Sequence, residues 1–465
     1  MTSPNRAAAT FPDIEELMSF AAPSDFSTRM NAAPGVRSGG TSVRGYAMFV
    51  ICAALLASGF ESLREACSRL VLGGSSGGVL VHPFLVPLAL AFPLFGLSRL
   101  SILPSRFVLM FSSFAAWYFT STFYGGVGLA EGVKIAAAIL TIIAMALMVT
   151  SWEDFVAAVT GMCIAVGTLA ILALASTDGA GIEVMQGGNR NAFSLYGLPA
   201  LLLGGYVVMR GGRTSLTTRA VITVMLLAIT IATMVTLNRS GWLGIAIVTA
   251  MLLPQSRRQN LILLLIAIPA CFFYFGESTR IEGIRDRVVA THEGLESDHL
   301  RIELVRRSFE IALQAPLLGV SPQRLPSELA TRLGYPGSQL ETHNVFAHLA
   351  AGSGLPCLLL IVAIAVALWR WKPDPSLSTF ERIRFIQSRS LLRMVIVLWA
   401  VRGAFTHEII YSPTFSMAIG LSMGLCLRFN YGPKGLFGFA RGKSAAVAKA
   451  SATPRRRQLR SFTSM

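Results

Sequence analysis

Apolar residues in this chain fall into long runs separated by short polar breaks. Runs of about 17 to 25 residues, the length that crosses a hydrocarbon core about 30 Å thick, begin near residues 44, 79, 103, 132, 155, 192, 218, 240, 259, 344, 389 and 412. The pattern predicts an all-α, polytopic membrane protein with about 12 transmembrane helices. Two runs are weaker, because 240–253 is short and 391–406 is interrupted by arginine. An even count of spans puts both ends of the chain on one side. One break is long: residues 276–342 carry eight arginines and ten acidic residues. Within it, "SDHLRIELVRRSFEIALQA" places Leu300, Ile302, Leu304, Val305, Phe309, Ile311 and Leu313 at helical spacing. Asp298 stands where a cap would open that helix, and "PLLGVSP" closes it. The chain therefore divides into a polar arm (1–43), nine spans (44–275), a partly helical extracytoplasmic loop (276–342), three further spans (343–428) and a basic tail (429–465).

Composition agrees with that division. With 53% hydrophobic residues, 14% charged residues and a mean hydropathy of +0.60, the chain lies outside the range of soluble domains. The formal charge is +16, and its placement is informative. If the amino terminus is cytoplasmic, Arg99, Arg210, Arg213, Arg219, Arg257, Arg258, Lys372, Arg382, Arg384, Arg389 and the tail containing "TPRRRQLR" all fall inside. The opposite loops hold few basic residues apart from the long one, chiefly Arg64, Arg69, Arg190 and Arg239. Orientation and attraction to anionic lipid account for this charge more simply than nucleic-acid binding does. The first 43 residues lack the apolar core of a secretory signal and read as a disordered cytoplasmic arm. Five of the six cysteines sit in apolar runs, so neither a disulfide framework nor a metal-ligand spacing follows. No internal repeat is visible, which disfavours transporter folds built from duplicated halves.

Three residues suited to one chemistry fall on the predicted outer face. Arg239 opens the eighth span in "NRSGWLG", Arg301 begins the loop helix, and His343 precedes the tenth span in "THNVFAHL". Arginine offers planar, permanently charged donors that suit a diphosphate. An imidazole can accept a proton from a sugar hydroxyl. Together they describe glycosyl transfer from a diphosphate-linked donor, with the arginines steadying charge that develops on the leaving phosphate. No metal, nucleotide or cofactor is called for. Each residue also has a plainer reading: His343 as part of a helix start, Arg239 as an interfacial anchor, Arg301 as one member of a solvated ion pair with Glu303. Arg402, a charge within a span, is expected to meet a phosphate or pair with Glu408. Glu131 and Lys134 are spaced to pair with each other. His348 is expected to pack within the bundle.

The pieces "GGNRNAFSLYG", "NRSGWLG", "RIELVRRSFEIALQAPLLGV" and "THNVFAHLAAGSGLPCLLL" occur in that order over residues 185–365. In order and spacing they resemble the O-antigen ligase and polymerase family of bacterial membrane glycosyltransferases, which includes exopolysaccharide polymerases. The resemblance implies a transferase of the bacterial inner membrane that moves undecaprenyl-diphosphate-linked glycan on the periplasmic side. It assigns the essential histidine to His343 and the essential arginines to Arg239 and Arg301. Arg306 is an alternative, and Arg402, Asn344, Asn191 and Arg190 are candidate substrate contacts. The chain departs from the family pattern at Gly352, where an acid is common, and at Cys357, where a glycine is common. The expected activity is polymerisation of exopolysaccharide or O-antigen repeat units, with a chain-length regulator as a possible partner. Ligation of finished glycan to lipid A core is the alternative, and transport of lipid-linked glycan is a further one.

Overall fold

The structure is a computed structural model that describes residues 42–60, 63–64, 66–67, 82–125, 130–175, 190–210, 214–235, 239–253 and 291–430. Residues 1–41 of the polar arm, the span expected near 259 and residues 431–465 of the basic tail lie outside the described residues. Every regular element within them is helical. The first part contains α1 (Val43–Ala53), α2 (Leu55–Ser58), α3 (Leu85–Phe95), a 3-10 turn (Leu97–Ile102), α4 (Ser105–Tyr124), α5 (Ala130–Met148) and α6 (Trp152–Ala175). It continues through α7 (Arg190–Arg210), α8 (Leu216–Val235) and α9 (Arg239–Leu252). The second part contains α10 (Thr291–Gln314), α11 (Leu325–Arg332), α12 (Val345–Ser353), α13 (Leu355–Trp369), α14 (Thr379–Gly403), a 3-10 turn (Glu408–Tyr411) and α15 (Pro413–Asn430).

Segments Glu131–Met148, Trp152–Ala175 and Leu216–Met234 are long and apolar enough to cross a membrane, and several shorter apolar helices pack with them. Leu90, Leu94, Leu109, Val224, Leu227, Leu359 and Val362 point outward from the bundle. Water makes such a surface unfavourable, whereas lipid tails accept it. Inside, small residues let helices approach closely. Gly161 of α6 lies against the Phe49 backbone of α1, and Gly420 and Gly424 of α15 lie against Ile142 and Ala146 of α5.

The helix ends gather into two polar layers. At one end, Arg99 donates to the carbonyls of Leu147 and Val149 at 2.5 and 2.9 Å, satisfying acceptors left over by the end of α5. Asp154 there accepts from the Thr150 and Ser151 backbone N–H groups at 3.0 and 2.9 Å and from the Ser42 hydroxyl at 3.1 Å. The other end carries the starts of α5, α7, α9 and α12 and the close of α14, and it is where the candidate residues meet.

Three sequence expectations need correction. The run from residue 344 is not one continuous span. It breaks at Gly354, whose φ of 84° and ψ of 165° belong to a region open essentially only to glycine. Only α13 then runs along α4, where Trp371 just past its end stacks edge-on against Phe107 at 4.9 Å. The short α12 instead bridges from α14, through Phe346 against Trp399, to α4. Asp298 does not open the loop helix, because α10 starts at Thr291. Glu and Leu in the preceding turns are good helix formers, and acids suit a helix amino terminus. Helix α14 begins at Thr379, well before the apolar run near 389, because Ser378 and Glu381 form a capping box. Its early arginines turn back onto the preceding helix end: Arg389 donates to the Trp371 carbonyl at 2.9 Å and Arg393 to that of Trp369 at 2.9 Å.

The break at Gly354 is filled by "PLLGVSP". Leu355 N donates to the Pro316 carbonyl at 2.8 Å, Val320 N to that of Ala351 at 2.9 Å, and Ser321 N to that of Gly352 at 2.9 Å. The α4 side chains complete the joint. Trp117 Nε1 donates to the carbonyls of Leu317 and Ser353 at 3.3 and 3.1 Å, and the Ser121 hydroxyl to those of Leu318 and Gly352 at 2.8 and 3.0 Å. A Cβ at position 354 would overlap the Leu317 carbonyl. Gly354→Ala is therefore expected to lower the stability of the detergent-solubilised protein by more than about 3 kcal/mol, combining a forbidden backbone with a clash. Gly334→Ala, also at positive φ but with open space around it, is expected to cost about 1–2 kcal/mol. Thermal unfolding of the two variants side by side checks the ordering.

Candidate functional site

Helix α10 presents two faces. Arg301 shares one with Leu304, Ser308, Ile311 and Ala312, all four of them buried. Leu304 and Ile311 pack with Ala351 of α12 and with Leu325 and Leu329 of α11. Contacts therefore advance together along the two segments, from Arg301 beside His343 to Pro316 beside Leu355, so that α10 and α12 run side by side in the same direction. The other face carries Ile302, Arg306, Phe309 and Leu313 outward.

That division separates the two arginines. Arg306 is 67% exposed and reaches Glu303 at 3.7 Å and Glu310 at 3.3 Å. Arg307 bridges the same two carboxylates at 2.8 Å each. Arg306 thus belongs to a solvated ion-pair ladder facing away from α12. Arg301 has no ion-pair partner among the described residues and lies near enough to His343 to disfavour its protonation. The solvated pair between Arg301 and Glu303 suggested by their sequence spacing does not form, because Glu303 is engaged by Arg306 and Arg307.

His343 adopts φ of 47°, in the left-handed region. Among non-glycine residues histidine is one of the more tolerant there, although the conformation is uncommon. It turns the chain into the start of α12. Asn344 caps that helix, its Oδ1 accepting from the backbone N–H groups of Phe346 and Ala347 at 3.0 Å each. Its Nδ2 donates to the Ala404 carbonyl just past α14 at 3.3 Å. The Asn344 amide, expected from sequence as a substrate contact, is thus engaged within the protein on both of its polar atoms. Burial and the Arg301 charge lower the proton affinity of the His343 imidazole, the Glu341 carboxylate works in the opposite direction, and His407 adds a smaller lowering.

Arg402, only 1% exposed, connects three helices. It donates to the Ser240 hydroxyl in the first turn of α9 and to that of Ser194 in the first turn of α7 at 2.6 Å. Glu408 is its nearby counter-charge. Burial and the Glu341 carboxylate raise the Glu408 proton affinity, while Arg402 and Lys134 oppose that. Arg402 therefore has a structural role that neither sequence expectation named, since it fixes the starts of α7 and α9 beside the close of α14. Arg239 is the first residue of α9 and so opens at this same end, one residue from Ser240. The side chains of Arg239, Arg190 and Asn191 lie outside the described residues.

Behind His343 lies a second polar group that sequence reading did not assemble. The rings of His348 and His407 stack at 4.7 Å, and His407 Nδ1 stands 3.9 Å from Glu341 Oε2. Lys134 pairs with Glu131 at 2.6 Å, as their spacing predicted, and also covers the Tyr411 ring at 5.6 Å. The Tyr411 hydroxyl is hydrogen-bonded to that of Tyr118. The only signal available in sequence was "THEIIY" following a span that contains an arginine, and it gives no hint of what it packs against.

Residues 222–362, about 30% of the chain, match the family model described as O-Antigen ligase. The matched stretch includes Arg239, Arg301, Arg306, His343 and Asn344, whereas Arg190, Asn191 and Arg402 lie outside it. The family is a membrane family whose chemistry is glycosyl transfer. No curated protein gave a match.

The two bonds of Asn344 can be separated. Asn344→Asp keeps the cap and loses the donor to Ala404, and it is expected to stay near wild type in thermal stability while losing transfer activity. Asn344→Ala loses both and is expected to cost about 1 kcal/mol in addition. Melting temperature and transfer rate measured on the same preparations check this.

Proposed function

We propose that this protein is a membrane glycosyltransferase that moves glycan from an undecaprenyl-diphosphate-linked donor to a sugar hydroxyl on the periplasmic side, polymerising exopolysaccharide or O-antigen repeat units. The observation that carries the reading is the packing of α10 along α12, which brings Arg301 within electrostatic reach of His343 at the end of the bundle where α9 begins with Arg239. The opposite end is the basic one, with Arg44, Arg99, Arg389 and Arg393. Under the positive-inside rule that end is cytoplasmic, and the candidate site faces outward.

In this mechanism the neutral imidazole of His343 takes the proton of the acceptor hydroxyl. The acceptor oxygen bonds to the anomeric carbon as that carbon's bond to the diphosphate oxygen breaks, and the electron pair leaves with the diphosphate. Arg301 and Arg239 hold the diphosphate and balance the charge it gains. Burial and the Arg301 charge lower the proton affinity of His343, which favours the neutral, proton-accepting form this role needs. A chain-length regulator is a reasonable partner for a polymerase of this kind.

His343→Asn keeps a residue that accepts left-handed backbone, so folding is expected to survive. Transfer is expected to fall about 10²–10⁴-fold, the usual contribution of a general base. Arg301→Lys keeps the charge but loses the planar fork and is expected to cost at least about tenfold, whereas Arg306→Ala leaves the rate unchanged. The assay supplies purified protein in vesicles with lipid-linked repeat units, with and without lipid A core, and sizes the product. A ladder of repeats without core supports the polymerase. A single product that requires core identifies a ligase. Wild-type turnover by His343→Asn refutes the mechanism.

A further inference from the structure

Helices α13 and α14 do not close fully against each other. Between them lies an apolar groove of about 260 Å³, walled by Ile361, Ala365 and Val366 of α13 and by Ile396 and Trp399 of α14, with Phe346 of α12 at its outer end. Val366 and Trp369 on its rim are 45% and 38% exposed, so the groove opens on the lipid-facing side of the bundle. A smaller apolar cavity of about 70 Å³ shares Ile361, Ala365, Ile396 and Trp399 and reaches inward to Phe114 of α4 and Ile139 of α5. That space holds a stretch of hydrocarbon chain and is too small for a helix about 10 Å across.

The end of the groove toward Trp369 is charged. The Arg393 guanidinium lies over the Trp369 ring at 4.9 Å, and its Nε and Nη2 donate to the Trp369 carbonyl at 3.0 and 2.9 Å. Its Nη1 makes no hydrogen bond among the described residues. Arg389, one turn earlier on α14, donates to the Trp371 carbonyl through Nη1 at 2.9 Å, and Arg370, next to Trp369 in the chain, is exposed. Neither Arg389 nor Arg393 has an ion-pair partner among the described residues. The acids that follow α13 in the chain are engaged locally. Asp374 accepts from the Ser376 backbone N–H and hydroxyl at 2.8 and 2.7 Å, and Glu381 from those of Ser378 at 3.0 and 2.7 Å.

We propose that the groove between α13 and α14 binds one anionic phospholipid of the cytoplasmic leaflet, its phosphate on Arg393 with Arg389 and Arg370 close by, and one acyl chain along Ala365 and Trp399. Closing the end of α13 is the plainer task for the two bonded arginines, and it leaves charge over: a helix terminus supplies only about half an elementary negative charge, against two guanidinium groups a turn apart. A phosphate meets the remainder, because arginine donors match its oxygens and basic pockets between helices on the cytoplasmic side suit such headgroups. An apolar chain leading directly from that phosphate matches the groove. The outer end closes on Phe346, packed edge-on against Trp399 at 6.1 Å, so the headgroup belongs at the basic end. The lipid would then fasten α13 to α14 along the part of their length below the joint at Gly354. The inference is independent of the transfer reaction.

The test counts bound lipid. Full-length protein in detergent is titrated with phosphatidylglycerol or with phosphatidylcholine of the same acyl chains, and native mass spectrometry reads the affinity of the first copy. The wild type is expected to take phosphatidylglycerol at least about tenfold more tightly than phosphatidylcholine. Arg393→Gln is expected to cut that preference about fivefold, the usual worth of one basic residue beside an anionic lipid, and Arg393→Lys to keep most of it. Ala365→Phe fills the groove away from the charges and is expected to abolish the tight first copy. Thermal unfolding without lipid selects the variants that fold, and the wild-type comparison stands without them. Equal affinity of the wild type for the two lipids overturns the inference, as does a preference that survives both Arg393→Gln and Ala365→Phe. Tighter binding of undecaprenyl phosphate that is lost in Ala365→Phe but unchanged in Arg393→Gln would assign the groove to the donor's tail and overturn it too.

Discussion

The joint between the turn after α10 and the break between α12 and α13 is the constraint on which the site depends. Three backbone hydrogen bonds link Pro316, Val320 and Ser321 to the stretch from Ala351 to Leu355, and from α4 Trp117 donates to the carbonyls of Leu317 and Ser353 while Ser121 donates to those of Leu318 and Gly352. The bonds satisfy carbonyls that a helix end near the membrane would otherwise leave unpaired, an expensive condition where water is scarce. They also fix the register between α10 and α12. A helix advances about 1.5 Å per residue, so a shift of even one residue in this register would carry Arg301 away from His343. The departure at Gly352 follows from the same joint, because a Cβ there would press on the Pro322 backbone. Cys357, the other departure, is buried in the first turn of α13.

A second layer of interactions sets the height of the site. Arg402 is buried but is not stranded, because two serines from the first turns of α7 and α9 accept its hydrogen bonds. A buried guanidinium of this kind gives little net stability, and its value is in geometry. Here it brings the start of α9 next to the close of α14, from which Ala404 reaches Asn344. The residues named by the sequence as separate candidates are thus joined by a short chain of contacts from Ser240 through Arg402 to the turn that carries His343.

The electrostatics of that end are balanced rather than uniformly positive. Arg301 and Lys134 are set against Glu341, Glu408 and Glu131, and the imidazoles between them are kept neutral mainly by burial. A site that handles an anionic leaving group and a proton in one step needs this kind of opposition. Positive charge alone would bind the diphosphate but weaken the base.

Much of this was legible in the sequence. The apolar runs determined the helices, because the cost of placing unpaired backbone in lipid leaves few other conformations. The distribution of basic residues supported an orientation, and the motifs pointed to His343, Arg301 and Arg239 together. Pairing of Glu131 with Lys134 also followed from spacing, since it is a contact within one helical turn. What the tertiary structure decided was everything that depends on distant segments meeting. Arg301 and Arg306 look interchangeable in sequence, and only the tertiary structure set one on the α12-facing side of α10 without an ion-pair partner among the described residues and the other in a surface ladder. Asn344 could have met a ligand until Ala404 arrived beside it. Glu341 and His407 are 66 positions apart, and neither local propensity nor hydrophobic period carries information across that distance. The break at Gly354 was hidden for the same reason: a glycine among apolar residues reads as part of a span until the turn that fills its missing side chain is brought against it.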